Sequence, residues 1–190
     1  MIGLIAIAIA VTVGGQILLV ASVVRRLRTG ESLTATLREH AVVPRWARSS
    51  VVAASVETAQ AALGLAGLAM VGLGWADGAA FAVVCAATAA LFGGFATYLV
   101  IVARRRGLAT CSCLGNRGRV DAAAVIRAGV FAVAAAAAAW LGVPANVLTW
   151  PVVAALVGAG VLVAGFAVFL VALAQAVGGA RTDAPTRARA

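Results

Sequence analysis

Charge is scarce in this sequence. Charged residues make up 11% of it, less than half of the roughly 25% found in an ordinary soluble domain. Six residues are acidic, and lysine is missing altogether, because all 15 basic residues are arginine. There is a single histidine, His40, and there are three cysteines, Cys85, Cys111 and Cys113. An odd, small cysteine count is no disulfide framework. Only one histidine is present to complete a metal site beside two thiolates, so no metal ligands are assigned. The net charge of +9 and the pI near 11.6 would suggest nucleic acid in a soluble protein. No basic stripe here is interleaved with exposed aromatics, so nucleic-acid binding is set aside.

What is abundant is apolar sequence: 64% of the 190 residues are hydrophobic and mean hydropathy is +1.07. A soluble chain of this length cannot hide that much apolar surface, and a lipid-facing chain has no need to. The apolar residues come in blocks of about 20 or more, the length that crosses the hydrocarbon core. Spans are expected near 2–24, 50–74, 79–103, 122–142 and 148–177. The fold class is therefore all-α, a polytopic transmembrane bundle of about five helices. It reads as a single domain over residues 1–180, followed by a disordered cytoplasmic tail over 181–190.

The arginines set the expected orientation. Arg25, Arg26, Arg28, Arg38, Arg45 and Arg48 fall in the first inter-span loop. Arg104, Arg105, Arg106, Arg117 and Arg119 fall in the second, and Arg181, Arg187 and Arg189 in the tail. These three segments share one face. The opposite face holds the N-terminus and two short turns, Trp75–Gly78 and Gly142–Asn146, without a basic residue. The positive-inside rule puts the arginine face in the cytoplasm, with the N-terminus outside and the C-terminus inside. Trp75, Trp140 and Trp150 map to the outer boundary and Trp46 to the inner one, where interfacial aromatics belong. The expected location is the cell membrane, a bacterial inner membrane, with lipids as neighbours. No basic residue precedes the first apolar block, unlike a secretory signal peptide, so it is read as a retained span. Within the first loop, Ser32–Glu39 reads as a short helix on the membrane surface, and Pro44 breaks the chain before the second span. Glycines such as Gly64, Gly67, Gly93, Gly94, Gly158 and Gly160 are read as sites of close helix approach.

The strongest chemical signal is Thr110-Cys111-Ser112-Cys113-Leu114-Gly115-Asn116 in the second arginine-rich loop. Thiols one residue apart are close enough to close a small, strained disulfide, and strained, exposed disulfides are suited to exchange. Five nearby arginines favour thiolate, the nucleophilic form. Soft-metal binding by the two thiolates is an alternative, as is a pair of loop cysteines with no role. Cys85 sits within an apolar run and reads as packing.

The second signal is Glu57, an ionisable group about two turns into the second span. It is a candidate proton acceptor for a thiol; the plain alternative is an ion pair with Arg48 or Arg127 that ties helices together. Gln60 follows one turn along the same face. Gln16, Thr97, Tyr98 and Gln175 map to the same half of the bundle, so a polar pocket is expected there, beneath the cysteine loop. Gln16, Gln60 and Tyr98 are its candidate binding residues, with interhelical hydrogen bonds as the alternative role of the glutamines. Arg127 is read as snorkelling.

Pro44 before the second span, Glu57 within it, and Cys111-Ser-Cys113-Leu114-Gly115 after the third together resemble the MauE (methylamine-utilisation) family, grouped with the DoxX-like membrane proteins. The resemblance covers roughly residues 1–142. Leu114 stands where the family usually has phenylalanine, an apolar-for-apolar change. The resemblance implies a membrane thiol–disulfide role in maturing disulfide-containing extracytoplasmic proteins, beside a thioredoxin-like or other thiol-containing partner. Cys111 and Cys113 would then be the redox pair and Glu57 their proton acceptor. An extracytoplasmic role and a cytoplasmic loop require a relay, an infolded loop or an inverted orientation. A quinone is a candidate to complete such a circuit. Two other readings stand beside this one: a non-catalytic subunit of a larger membrane complex, and soft-metal handling or transport.

Overall fold

The computed structural model describes residues 2–30, 32–40, 44, 48–75, 78–106, 110–111, 118–119, 122–142 and 150–182. For Cys111, its ladder partners, and the last helix beyond Phe169, the description is of backbone alone. The elements in chain order are α1 (Ile2–Thr29), α2 (Leu33–His40), α3 (Ser50–Gly72), α4 (Ala79–Arg106), β1 (Thr110–Cys111), β2 (Gly118–Arg119), α5 (Ala122–Leu141) and α6 (Trp150–Thr182). Among the described residues, five helices are long and apolar enough to cross a membrane: α1, α3, α4, α5 and α6. The all-helical bundle is thus as expected, with one addition. The arginine-rich segment after α4 contains a short antiparallel ladder, Thr110 opposite Arg119 and Cys111 opposite Gly118.

Helix ends follow backbone chemistry more than hydropathy. The apolar block of α1 stops at Val24, but the helix runs on to Thr29, because arginine is a good helix former. It ends where Gly30 adopts φ +66°. This correction matters for function: Arg25 to Arg28, expected in a loop, lie on a helical surface. α3 starts at Ser49, whose hydroxyl accepts from the Val52 N–H at 3.3 Å, the preferred N-cap arrangement. It ends in a Schellman motif. Gly74 at φ +73° lets Trp75 N–H reach Met70 O at 2.8 Å and Gly74 N–H reach Val71 O at 3.2 Å, satisfying carbonyls that a helix end leaves open. α6 extends through Thr182, two residues into the expected tail, and residues 183–190 lie outside the described residues.

α1 is the central helix. Of its most apolar stretch 56% is buried, against 22–33% for the other four spans, and it packs on α3, α5 and α6. Lipid tails offer no hydrophobic driving force between helices, so close van der Waals approach holds the bundle. Gly14 and Gly160 supply it between α1 and α6: a Cβ on Gly14 would sit 2.9 Å from Gly160 O. Gly64 and Gly67 supply it between α1 and α3, facing Val20 and the Gln16 side chain. Gly93, Gly94 and Gly158, expected to act in the same way, meet no described neighbour.

The most extensive helix contact is α4 on α5. Buried Phe81, Cys85, Thr88, Phe92, Leu99 and Val102 on α4 face buried Ala124, Ala128, Phe131, Ala135 and Ala138 on α5. Both sets advance by threes and fours, apart from one heptad step from Phe92 to Leu99, the 3.5-residue seam of a left-handed pair. Large residues on α4 meet mostly alanine on α5, which keeps the two axes close. Cys85, fully buried beside Phe81 and Ala138, is a packing residue, as expected.

Candidate functional site

The polar groups of interest gather at one end of the bundle, where α1 ends, α3 begins, α4 ends and α5 begins. Glu57, two turns into α3, is held by two other elements. Its Oε1 accepts from Arg26 Nη1 of α1 at 3.4 Å and from the Leu33 backbone N–H of α2 at 3.3 Å. Leu33 opens α2, so this N–H is one of the donors that a helix start leaves unsatisfied, and a carboxylate is favoured there. Ser32 Oγ accepts from the next donor, Thr34 N–H, at 3.1 Å. Glu57 therefore anchors α2 against α3 while pairing with α1. Arg26 is 9% exposed and Glu57 33%.

Among the described residues Glu57 forms an ion pair with Arg26; the sequence offered Arg48 or Arg127 for that place. Arg26 falls among loop charges when α1 is ended with its apolar block at Val24, but the helix runs on to Thr29. A signal was nevertheless present: Arg26 follows buried Leu19 at heptad spacing, as Leu19 follows Thr12. Arg25 and Arg28 on the same turns are exposed.

Beside this pair lies a cavity of about 60 Å³, walled by α1, α3, α4 and α5. Its walls are largely aromatic and aliphatic: Leu18, Leu19, Phe92, Phe95, Leu99 and Phe131. Phe92 anchors them, with ring centroids 5.2 Å from Phe131 and 6.5 Å from Phe95. Ser22, Arg26, Gln60, Tyr98 and Arg127 add polar groups. The pocket expected from sequence is thus in the expected half of the bundle, but it is apolar with a polar margin. Gln60 and Tyr98 line it; Glu57 and Gln16 do not. Arg26 connects the two features, lining the cavity and donating to Glu57. The aromatic walls were missed because nothing in sequence alone separates a cavity-lining phenylalanine from a packed one. Arg127, read as snorkelling, also lines the cavity.

The two buried glutamines differ. Gln16, fully buried, lies against Gly67, and neither amide atom has a hydrogen-bond partner among the described residues. Gln60 is 1% exposed, and its Oε1 likewise has no described partner, but it faces a cavity. The interhelical hydrogen bonds offered as the alternative role of both are not described for these atoms. Thr97 is turned away, its hydroxyl donating to Gly93 O at 2.9 Å on the exposed side of α4. The Gln175 side chain lies outside the described residues.

Cys111 is described by its backbone, paired with Gly118. Cys113 and the rest of 112–117 lie outside the described residues. The ladder joins the segments that follow α4 and precede α5; α4 supplies Tyr98 and Leu99 to the cavity about two turns before its end, and α5 supplies Ala124 and Arg127 from its first two turns. Among the described residues no group of three His, Cys, Asp or Glu side chains comes together.

Neither the curated proteins nor the solved structures include a significant match to this chain. A family model does match, over residues 2–141, a stretch that takes in the first four spans, the Glu57 site and the Cys-Ser-Cys segment. The chain is accordingly a multi-pass membrane protein of the MauE family, the methylamine utilisation proteins.

Proposed function

We propose that this protein is a membrane thiol–disulfide redox protein that supports disulfide formation in a partner through Cys111 and Cys113. The observation that carries the reading is the Cys111–Gly118 pairing. A two-residue antiparallel ladder sets the backbone of Cys111, the first cysteine of the Cys-x-Cys pair, opposite Gly118 in the arginine-rich segment between α4 and α5. The partner is a thioredoxin-like or other thiol-containing protein. When the pair is oxidised, a partner dithiol attacks it, the partner gains a disulfide, and Cys111 and Cys113 return as thiols. Electrons and protons balance in that exchange.

Glu57 enters the reading in two ways. As a proton acceptor it would act on a thiol of the pair. As a positioning residue it would act through Arg26 and α2, which the 3.4 and 3.3 Å contacts favour. Glu57→Gln separates the roles, because the amide oxygen still accepts from Leu33 while the negative charge is lost.

The test uses the full-length protein in membranes with single variants Cys111→Ser and Cys113→Ser. One of them is expected to accumulate a mixed disulfide with the partner, visible as a reducible band, and the double variant none. A partner whose redox state is unchanged in the double variant would end the redox reading and leave a subunit role.

A further inference from the structure

We infer that the cavity between α1, α3, α4 and α5 is a hydration site inside the bundle, whose bound water bridges the Arg26 guanidinium of α1 to the buried Gln60 amide of α3. The inference stands on the helices alone and does not rest on the redox reading.

Size sets the class of occupant. A water molecule's share of liquid volume is about 30 Å³, so a cavity of about 60 Å³ takes roughly two. Polarity then selects water among small molecules. Gln60 Oε1 is buried and accepts from no described group. Nearly all buried polar atoms have a partner, protein or ordered water, because an unmet one keeps its full desolvation cost. Arg26 carries the matching surplus. Its guanidinium is a fork of several N–H donors, and it is 9% exposed. One of those donors is described in a hydrogen bond, to Glu57 at 3.4 Å. Ser22 lies one turn before Arg26. Its hydroxyl donates to Leu19 O at 2.8 Å, which leaves its lone pairs to accept.

Gln60, Arg26 and Ser22 all line this one cavity. Its occupant must therefore donate to an amide oxygen, accept from a guanidinium and be small. Water meets all three demands, and it serves the Gln60 amide in either orientation of its oxygen and nitrogen. A cation would be repelled by Arg26, and an apolar molecule would leave Gln60 Oε1 unmet. Leu18, Phe92 and Phe131 close the apolar walls, which confines the water to the polar margin. Gln16 supplies the contrast. Its amide is just as buried and has no described partner, but it lies against Gly67 and does not line the cavity. Space beside the amide, not burial alone, makes the site. Water there also meets a need that an arginine near a membrane span creates: the donors that Glu57 does not take stay solvated.

The experiment uses the full-length, isotope-labelled protein in phosphatidylcholine liposomes with deuterated acyl chains, with water itself as the probe. Solid-state NMR reads polarisation transfer from water protons to each glutamine side-chain amide. Transfer to Gln60 is expected to be several-fold faster than to Gln16, an internal control in the same unmodified chain. Ser22→Val removes a hydroxyl and fills part of the cavity, so it should slow transfer to Gln60 and leave Gln16 unchanged. Equal, slow transfer to both glutamines would show a dry cavity and overturn the inference without any variant having to fold. Contacts from protonated acyl chains to Gln60 and Phe92, read in a second sample, would put a lipid tail in the cavity and overturn it too. Fast transfer to Gln60 that survives Ser22→Val would mean that water reaches the amide by another route, and this cavity would be rejected as the site.

Discussion

Arg26 and Glu57 show how much depends on a few ångströms at one residue. A hydrogen bond to a charged group contributes about 1.5–3 kcal/mol, and here one carboxylate oxygen serves a guanidinium and a helix-start N–H together. Glu57→Leu should therefore free α2, with amide exchange over residues 33–40 rising well above that of Glu57→Gln. Equal exchange in the two variants would mean that the Leu33 contact holds nothing. A second residue-scale prediction concerns Gly67. A Cβ there overlaps the Gln16 side chain, so Gly67→Ala should cost about 1–3 kcal/mol in thermal unfolding in detergent. Gln16→Ala in the same chain should recover most of it by vacating the space. Glu57 was visible in the sequence because an acid in an apolar run stands out. Its partner did not stand out, because Arg26 is one of fifteen arginines and its heptad spacing from Thr12 and Leu19 counts only once α1 is known to run past Val24.

At the scale of elements, the α4–α5 pair is the clearest case of sequence pattern becoming packing. Its seam residues repeat at the heptad interval, yet hydropathy hides them, because almost every position of both helices is apolar. Burial distinguishes neighbours: Ala135 is fully enclosed and Ala136 faces outward. Ala135→Phe should thus destabilise the bundle by about 1–3 kcal/mol through overpacking, while Ala136→Phe should shift the unfolding temperature little. Similar shifts for both would argue against this seam. The ladder between β1 and β2 makes a separate prediction. Gly118→Pro removes a backbone donor opposite Cys111, so it should slow partner oxidation several-fold while leaving the unfolding temperature of the helices unchanged. The sequence showed a charged loop here, because two residues per strand are too few to produce an alternating pattern.

For the whole molecule, the arginine distribution makes the orientation testable. A membrane-impermeant maleimide applied to sealed vesicles of both orientations, with and without prior reduction, should label Cys111 and Cys113 from the cytoplasmic side and only after reduction. Labelling from the outside would invert the bundle and bring the pair directly to extracytoplasmic partners. Full labelling without reduction would show that the resting pair is not a disulfide.

The sequence by itself determined that this chain lives in a membrane, how many times it crosses, and where its reactive residue types fall along it. Span length and composition are local properties, set by the thickness of the hydrocarbon core and the cost of burying charge. Cys111, Cys113 and Glu57 stand out against an apolar background for the same reason. Only the tertiary structure decided which helix is central, that Glu57 meets Arg26 and Leu33, that Gln60 faces a cavity and Gln16 a glycine, and that the expected polar pocket is walled by phenylalanines. Those outcomes depend on the rotation of each helix about its axis. In helices apolar on nearly every side, that rotation is fixed by the fit of small residues against large ones across the bundle, not by any contrast between an apolar face and a polar one.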